Sequence, residues 1–287
     1  MVDVADELAV IANTADDLEV YGVHVSPDPD LITYWLAGEI DERGYGLRGD
    51  TFEVMAALDE AGRETWFQLG DGDLAMCLIR TEVLRTGRRL TEAQATLVEA
   101  MGVDARVLPM SDEPVATWVG VHGTLLPFQR YMIVEGAPGP IEAVELRGVE
   151  AARPTGEVLS ALAEADVIVI GPSNPVISIG PILALPGMRE ALVAAPAPVV
   201  AVSPLVGGRP LKGPTDVFCA YAGIELSADG IARTYGDLID GVVADEEVAQ
   251  RPGLVTDTLM DSLPAARRLA AETLEFAASL RSPRSPR

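Results

Sequence analysis

One junction limits the possible folds of this chain more than any other. The run Ala165-Asp166-Val167-Ile168-Val169-Ile170 passes directly into Gly171-Pro172-Ser173-Asn174-Pro175-Val176-Ile177-Ser178-Ile179-Gly180-Pro181. A short apolar stretch rich in β-branched residues reads as a strand buried on both faces, as in a parallel sheet. The small, Gly/Pro-punctuated segment behind it is a loop, and Ile182, Leu183 and Met188 continue at helical spacing. In open α/β sheets, ligands settle where loops leave the carboxyl ends of strands. Ser173, Asn174 and Ser178 are therefore expected to line an anion- or nucleotide-binding corner.

The rest of the chain extends this pattern. Glu7–Ala12 reads as a strand, followed by the loop Asn13-Thr14-Ala15-Asp16-Asp17. The turn-forming run Ser26-Pro27-Asp28-Pro29-Asp30 is expected to start a helix at Leu31. From about residue 31 to 103 the spacing is helical, with Thr51–Ala61 and Asp73–Thr86 amphipathic and Thr91 with Gln94 forming a capping box. Strand character returns at 105–109, 116–121 and 198–202. Glu157–Ala165 and Ala265–Leu280 read as helices, and the Pro-rich basic tail 281–287 as disordered. The expected architecture is α/β, a Rossmann-like parallel sheet in one domain over residues 1–280, with a helical insertion at about 31–103.

Composition removes several classes of function. The 287 residues carry 44 acidic against 21 basic side chains, a net charge of −23, with Lys212 the one lysine. Such a surface repels polyanions, so neither nucleic acid nor an anionic membrane is an expected partner. Working in high salt and a GC-rich genome favouring Arg over Lys both account for the imbalance. No apolar stretch is long enough to span a bilayer, and the first residues have no signal-peptide pattern. Cys77 and Cys219 make no disulfide framework, and a cytoplasmic location is expected. With two histidines, His24 and His122, and no Gly-x-Ser-x-Gly elbow, a Ser-His-Asp hydrolase finds little support in the sequence. Neither a Walker loop nor Gly-x-Gly-x-x-Gly occurs.

Chemistry-bearing residues gather in three places. Asp16, Asp17, Asp28 and Asp30, with Asp71 and Asp73 further along, suit a hard cation such as Mg²⁺; equally, Asp favours turns and helix starts in any acidic chain. Gly171–Gly180 is the second place. In the third, Ser203–Gly213, Arg209 and Lys212 are placed to neutralise phosphate or simply to face solvent. Cys77 falls on an apolar helical face, where a buried inert thiol is the default.

Taken together, Asn13–Asp17, Ser26–Asp30, Glu39-Ile40-Asp41-Glu42-Arg43-Gly44, Leu69-Gly70-Asp71-Gly72-Asp73-Leu74-Ala75, Leu108–Val115, Gly171–Gly187 and Val202–Gly213 resemble the 2-phospho-L-lactate transferase family of coenzyme F420 biosynthesis, collinearly from about Leu8 to Asp245. The resemblance implies a Mg²⁺-dependent transferase. It would move a 2-phospho-L-lactate or phosphoenolpyruvate moiety from a GDP-activated carrier onto the deazaflavin alcohol Fo, releasing GMP. It further implies Asp16 and Asp30 as metal ligands, Asp30 also as proton acceptor, and Asp30 with Gln68 as Fo-binding residues. Ser173 and Asn174 would hold the nucleotide or phosphate, Trp35, Trp66 and Phe67 would offer ring faces to the deazaflavin, and the protein would form a homodimer.

This sequence departs from the family pattern in two ways. The family has a strand and Gly-rich loop ahead of the segment where this chain starts, about 25 residues or one strand-loop-helix unit; weak or absent activity is expected for the 287-residue chain. Gly72, Met76 and Cys77 stand where the family has arginine, threonine and histidine, which bears on the acceptor pocket. Two other readings are a nucleotide-sugar-binding regulatory protein of the same superfamily and an inactive shortened paralogue.

Overall fold

A computed structural model describes residues 4–280. The expected tail at 281–287 lies outside the described residues. The fold is mixed α/β with parallel strands, and the chain divides into two compact units. One comprises Glu7–Pro138 and Ala143–Val158, and the other is built mainly from the chain after Leu159.

In the first unit, β1 (Ala9–Ala12) is followed by the hairpin β2 (Leu18–Val20) and β3 (Val23–Val25). Four helices come next: α1 (Pro27–Ala37), α2 (Glu53–Glu60), α3 (Asp71–Arg85) and α4 (Leu90–Ala100). Then β4 (Arg106–Pro109) returns to pair in parallel with β1, Ala9 opposite Arg106 and Ala12 opposite Pro109. Helix α1 begins at Pro27, four positions ahead of the expected start at Leu31. Proline is tolerated in a first helical turn, where its missing N–H has no intrahelical acceptor anyway. The expected capping box at Thr91 and Gln94 does not form; the Glu92 carboxylate instead reaches back to accept from the Arg89 backbone N–H at 3.0 Å. Thr91 is held from outside by Asp112, and Gln94 is fully buried in the helix interior.

An antiparallel sheet completes this unit: β5 (Ala116–Val121) lies between β6 (Thr124–Pro127) and β7 (Ala143–Arg147), with the short helix α5 (Phe128–Ile133) after β6. Only β5 was legible as a strand. His122 and Gly123, both at positive φ (51° and 72°), make the two-residue turn joining β5 to β6, as the twist of a tight hairpin requires. Val23, Val25, Met55, Phe67, Leu69 and Cys77 form one apolar cluster beneath the hairpin and α3. Tyr34, Ile40, Met76 and Leu97 form another between the helices.

Helix α6 (Gly156–Glu164) leads from the first unit into the second. There β8 (Ile168–Ile170), α7 (Ile179–Ala184), α8 (Met188–Ala194) and β9 (Val199–Val202) are followed by a small hairpin of β10 (Leu205–Val206) and β11 (Arg209–Pro210). Two more helices, α9 (Thr215–Ala222) and α10 (Ala228–Tyr235), precede β12 (Gly241–Ala244), β13 (Gly253–Val255) and α11 (Leu263–Ser279). The parallel sheet runs in the order β13-β12-β9-β8. All four residues of β9 and of β12 are buried, as expected of interior strands covered on both faces. The expected continuous helix after the Ser-Asn loop breaks at Leu185-Pro186-Gly187, where Gly187 takes φ 93°. At Gly241 a Cβ would lie 2.8 Å from the Phe276 ring, so α11 packs directly on the β12 backbone.

Candidate active site

The loop after β1 turns on its own asparagine. Asn13 Oδ1 accepts from the Ala15 N–H at 2.9 Å, a local turn that short carboxamides favour, and Nδ2 donates to Asp28 Oδ2 at 3.2 Å. The Thr117 N–H donates to the Ala15 carbonyl at 2.8 Å, stitching the loop to β5, and Gln129 of α5 donates to the Asp16 carbonyl at 3.3 Å. These contacts hold Asp16 inside the unit with 7% exposure.

Buried polar atoms are nearly always paired, and those that are not call for a ligand or ordered water. Here Asp16 Oδ1 and Thr14 Oγ1 are buried without a hydrogen-bond partner, and Thr117 Oγ1 lies beside Asp16 without a well-formed one. Burial, and then the Asp28 carboxylate, push the Asp16 carboxyl well above the usual range. Burial likewise raises Asp28 to about 6. Carboxylates kept close together and short of hydrogen-bond donors are relieved by a cation or a proton. Among the described residues, no three His, Cys, Asp or Glu side chains converge as a complete metal shell. Mg²⁺ does not need one: it takes one or two carboxylates and completes its shell with water and substrate phosphates. Asp16 and Asp28, with the Thr117 hydroxyl beside Asp16, fit that role.

Asp30 is engaged elsewhere, on α1. Arg80 of α3, fully buried, donates Nη1 to Asp30 Oδ2 at 3.0 Å and Nη2 to Oδ1, and reaches Gln94 Oε1 at 3.2 Å. Gln94 in turn donates to Thr33 at 2.9 Å, so one polar network ties α1, α3 and α4 together. Asp30, expected as metal ligand, proton acceptor and Fo-binding residue, is held by Arg80 in this way. Both Asp30 oxygens are thus occupied by one guanidinium, a bidentate pairing. The Asp28 and Asp17 carboxylates both raise Asp16. Sequence reasoning missed Arg80, because a lone arginine in a helical stretch looks like part of a wet face.

Gln68 is exposed between buried Phe67 and Leu69, its amide on the Thr65 carbonyl at 2.5 Å. The aromatic side chains are not equivalent. Trp35 is 62% exposed, Phe67 belongs to the core, and one face of Trp66 is covered by the Arg130 guanidinium, 5.1 Å from the ring centre. Cys77 is buried beneath α3, which pushes its thiol up to about 12, in keeping with an inert residue.

The Leu-Gly-Asp-Gly-Asp segment is a helix-start device. Asp50 accepts from the Gly72 and Asp73 N–H groups at 2.8 and 3.1 Å, capping α3. Asp71 returns the arrangement to α2, accepting from the Glu53 and Val54 N–H groups at 3.1 and 3.0 Å and from the Thr51 hydroxyl at 2.6 Å. A Cβ at Gly70 would sit 2.1 Å from Asp50 Oδ2, so only glycine leaves room for this carboxylate. Gly70→Ala is expected to displace Asp50 and cost about 1–3 kcal/mol of stability, measured by chemical denaturation. A loss below about 0.5 kcal/mol would show that the crossing is looser than described.

In the second unit, Asn174 builds the loop it occupies. Its Oδ1 accepts from Val176 and Ile177 at 2.9 and 3.2 Å, its Nδ2 lies 3.4 Å from Thr215 Oγ1, and its carbonyl accepts from Ser178 and Ile179. Ser173 is exposed at the tip, where a ligand has access to it. Asp16, Asp28, Asp30 and Gln68 belong to the first unit, and Ser173 and Asn174 to the second.

Comparison with known proteins places this geometry in context. The family model described as 2-phospho-L-lactate transferase CofD matches residues 1–265. A phosphoenolpyruvate transferase of Kitasatospora aureofaciens is 44% identical over 247 residues, covering 84% of this chain and 77% of its own. A 2-phospho-L-lactate transferase of Methanosarcina acetivorans is 40% identical over 275 residues, covering 92% and 89%. Among solved structures, a UPF0052-family protein from Bacillus halodurans is similar with a TM-score of 0.53 at 19% identity, covering 92% of this chain and 82% of that one; this likeness concerns the fold alone.

Proposed function

Because the chain belongs to the 2-phospho-L-lactate transferase family, we propose that it moves a phosphorylated three-carbon acid, 2-phospho-L-lactate or phosphoenolpyruvate, from a GDP-activated carrier onto the deazaflavin alcohol Fo, in coenzyme F420 biosynthesis. The acceptor hydroxyl attacks the phosphorus next to the three-carbon acid, a phosphodiester forms, and GMP departs with the electron pair of the broken P–O bond. The single observation that supports this reading most is the buried, unpartnered Asp16 Oδ1 beside Asp28.

Asp16 and Asp28 would hold Mg²⁺, with Asn13 fixing the orientation of Asp28. Bound there, Mg²⁺ supplies neutralisation of charge on the reacting phosphate oxygens. Asp30, held in place by Arg80, accepts hydrogen bonds from acceptor hydroxyls, and the exposed Gln68 amide contributes a second polar contact. Trp35 offers an open ring face for stacking a flat heterocycle. Ser173 contacts the nucleotide phosphates, and Asn174 maintains the loop that presents it. Rate acceleration then comes from positioning and fixed charge, without a covalent intermediate.

The test is a reconstituted reaction with Fo, Mg²⁺ and each GDP-activated acid, read by chromatography. Turnover is expected to be weak, with GMP formed in equal amount to the phosphodiester and only when Fo is present. No product from either donor, together with unchanged Fo fluorescence at saturating protein, would overturn the proposal.

A further inference from the structure

Ser26 occupies the position ahead of α1 where a serine ordinarily caps its own helix, yet it makes no such bond. Its hydroxyl, on a residue with no exposure, donates instead to Asp17, 2.7 Å from Oδ1 and 2.8 Å from Oδ2. Asp17 Oδ2 also lies 3.0 Å from His24 Nε2, and the His24 N–H donates to Thr81 of α3 at 2.8 Å. One carboxylate thus gathers the loop after β1, the strand β3 and the first residue before α1. Giving up the cap costs α1 about 1 kcal/mol, so the hydroxyl serves something other than the helix.

We infer that Asp17 and Ser26 form a clasp that fixes the spacing between Asp16 and Asp28, and so sets the affinity of the cation site. The inference rests on the proposed metal reading. Asp16 immediately precedes Asp17, and Asp28 is the second residue of the helix that Ser26 begins. Each end of the clasp is therefore within two residues of a carboxylate that must converge on one ion. Asn13 makes another connection between the same two segments, at 3.2 Å to Asp28. Opening the clasp leaves that amide in place and removes both Ser26–Asp17 hydrogen bonds. Asp17 and Ser26 are positioning residues: neither is required to touch substrate.

Mn²⁺ binding by calorimetry tests this on the full chain, without turnover, using two variants that separate position from charge. Ser26→Ala removes the hydroxyl and leaves every charge in place. Asp17→Asn removes a charge and keeps an oxygen able to accept from Ser26. A positioning role predicts that Ser26→Ala weakens Mn²⁺ binding about tenfold or more, whereas Asp17→Asn changes it by less than about threefold. Urea midpoints measured alongside identify any variant that fails to fold, and the isosteric Asp17→Asn then serves in its place: a loss beyond threefold there counts against the clasp. If the unsubstituted protein binds Mn²⁺ and Ser26→Ala binds it within twofold as tightly, the clasp is refuted and the metal site stands. If the unsubstituted protein binds no Mn²⁺, the metal reading falls and the clasp with it.

Discussion

Replacing Arg80 with methionine is expected to destabilise the first unit by about 3–5 kcal/mol, because Asp30 is left buried and without its partner. Its guanidinium is fully enclosed and serves three acceptors, Asp30, Gln94 and, at 3.4 Å, the His24 carbonyl. The charge and the hydrogen bonds therefore disappear together. Arg80→Met with Asp30→Asn should recover a large part of the loss, since the pair repays little beyond the cost of taking both ions out of water. Urea denaturation of the single and double variants measures this coupling. If Arg80→Met alone cost less than about 1 kcal/mol, water would have to reach the network, contrary to its complete burial.

The second large effect concerns Asp16. Asp16→Asn is expected to lower turnover by about 100-fold or more through the loss of a charge at the reacting phosphates, while making the metal-free protein more stable at neutral pH. The direction of the stability effect follows from the burial of the carboxylates. Asp16, Asp17, Asp28 and Asp73 are all raised by burial, Asp28 and Asp73 to about 6, against an ordinary value of 3.8. A group whose folded value exceeds its unfolded one favours the folded state when protonated. Its contribution is complete below about pH 4 and is lost as pH rises through about 6. For Asp28 alone the full span is on the order of 3 kcal/mol. The metal-free protein should therefore lose stability between pH 4 and pH 7, and Asp16→Asn should flatten that slope. Denaturation midpoints at pH 5 and pH 7.5 measure it. A variant less stable than the parent at pH 7.5 would show that the Asp16 charge is already compensated without a cation.

How much of this was legible in the chain depended on whether a residue's partner lay nearby in sequence. The apolar run ending at Ile170 and the all-buried Val199–Val202 announced parallel strands, since nothing but burial on both faces tolerates such composition. Gly241–Ala244 carries the same signal in four residues and went unread, masked by its leading glycine, whose role is to let Phe276 approach. The hairpin from Leu18 to Val25 and the strands flanking Ala116–Val121 are short and half-exposed, and their pairing is decided by neighbours far along the chain. At the site, the acidic loop residues stood out by type, but their division of labour did not. That Asp30 faces Arg80, fifty positions away, while Asp16 is matched with Asp28, depends on how α1 packs against α3. The same packing made Thr91 and Gln94 look like a cap when one is held by Asp112 and the other by the buried network.

The exchange of carboxylates between Asp50 and Asp71 makes the beginnings of two helices mutually dependent. Asp71 sits in the first turn of the helix that Asp50 closes, and Asp50 lies just ahead of the helix that Asp71 closes. Fraying of either end removes the acceptor of the other, so these two turns melt together as a single cooperative patch rather than as independent ends.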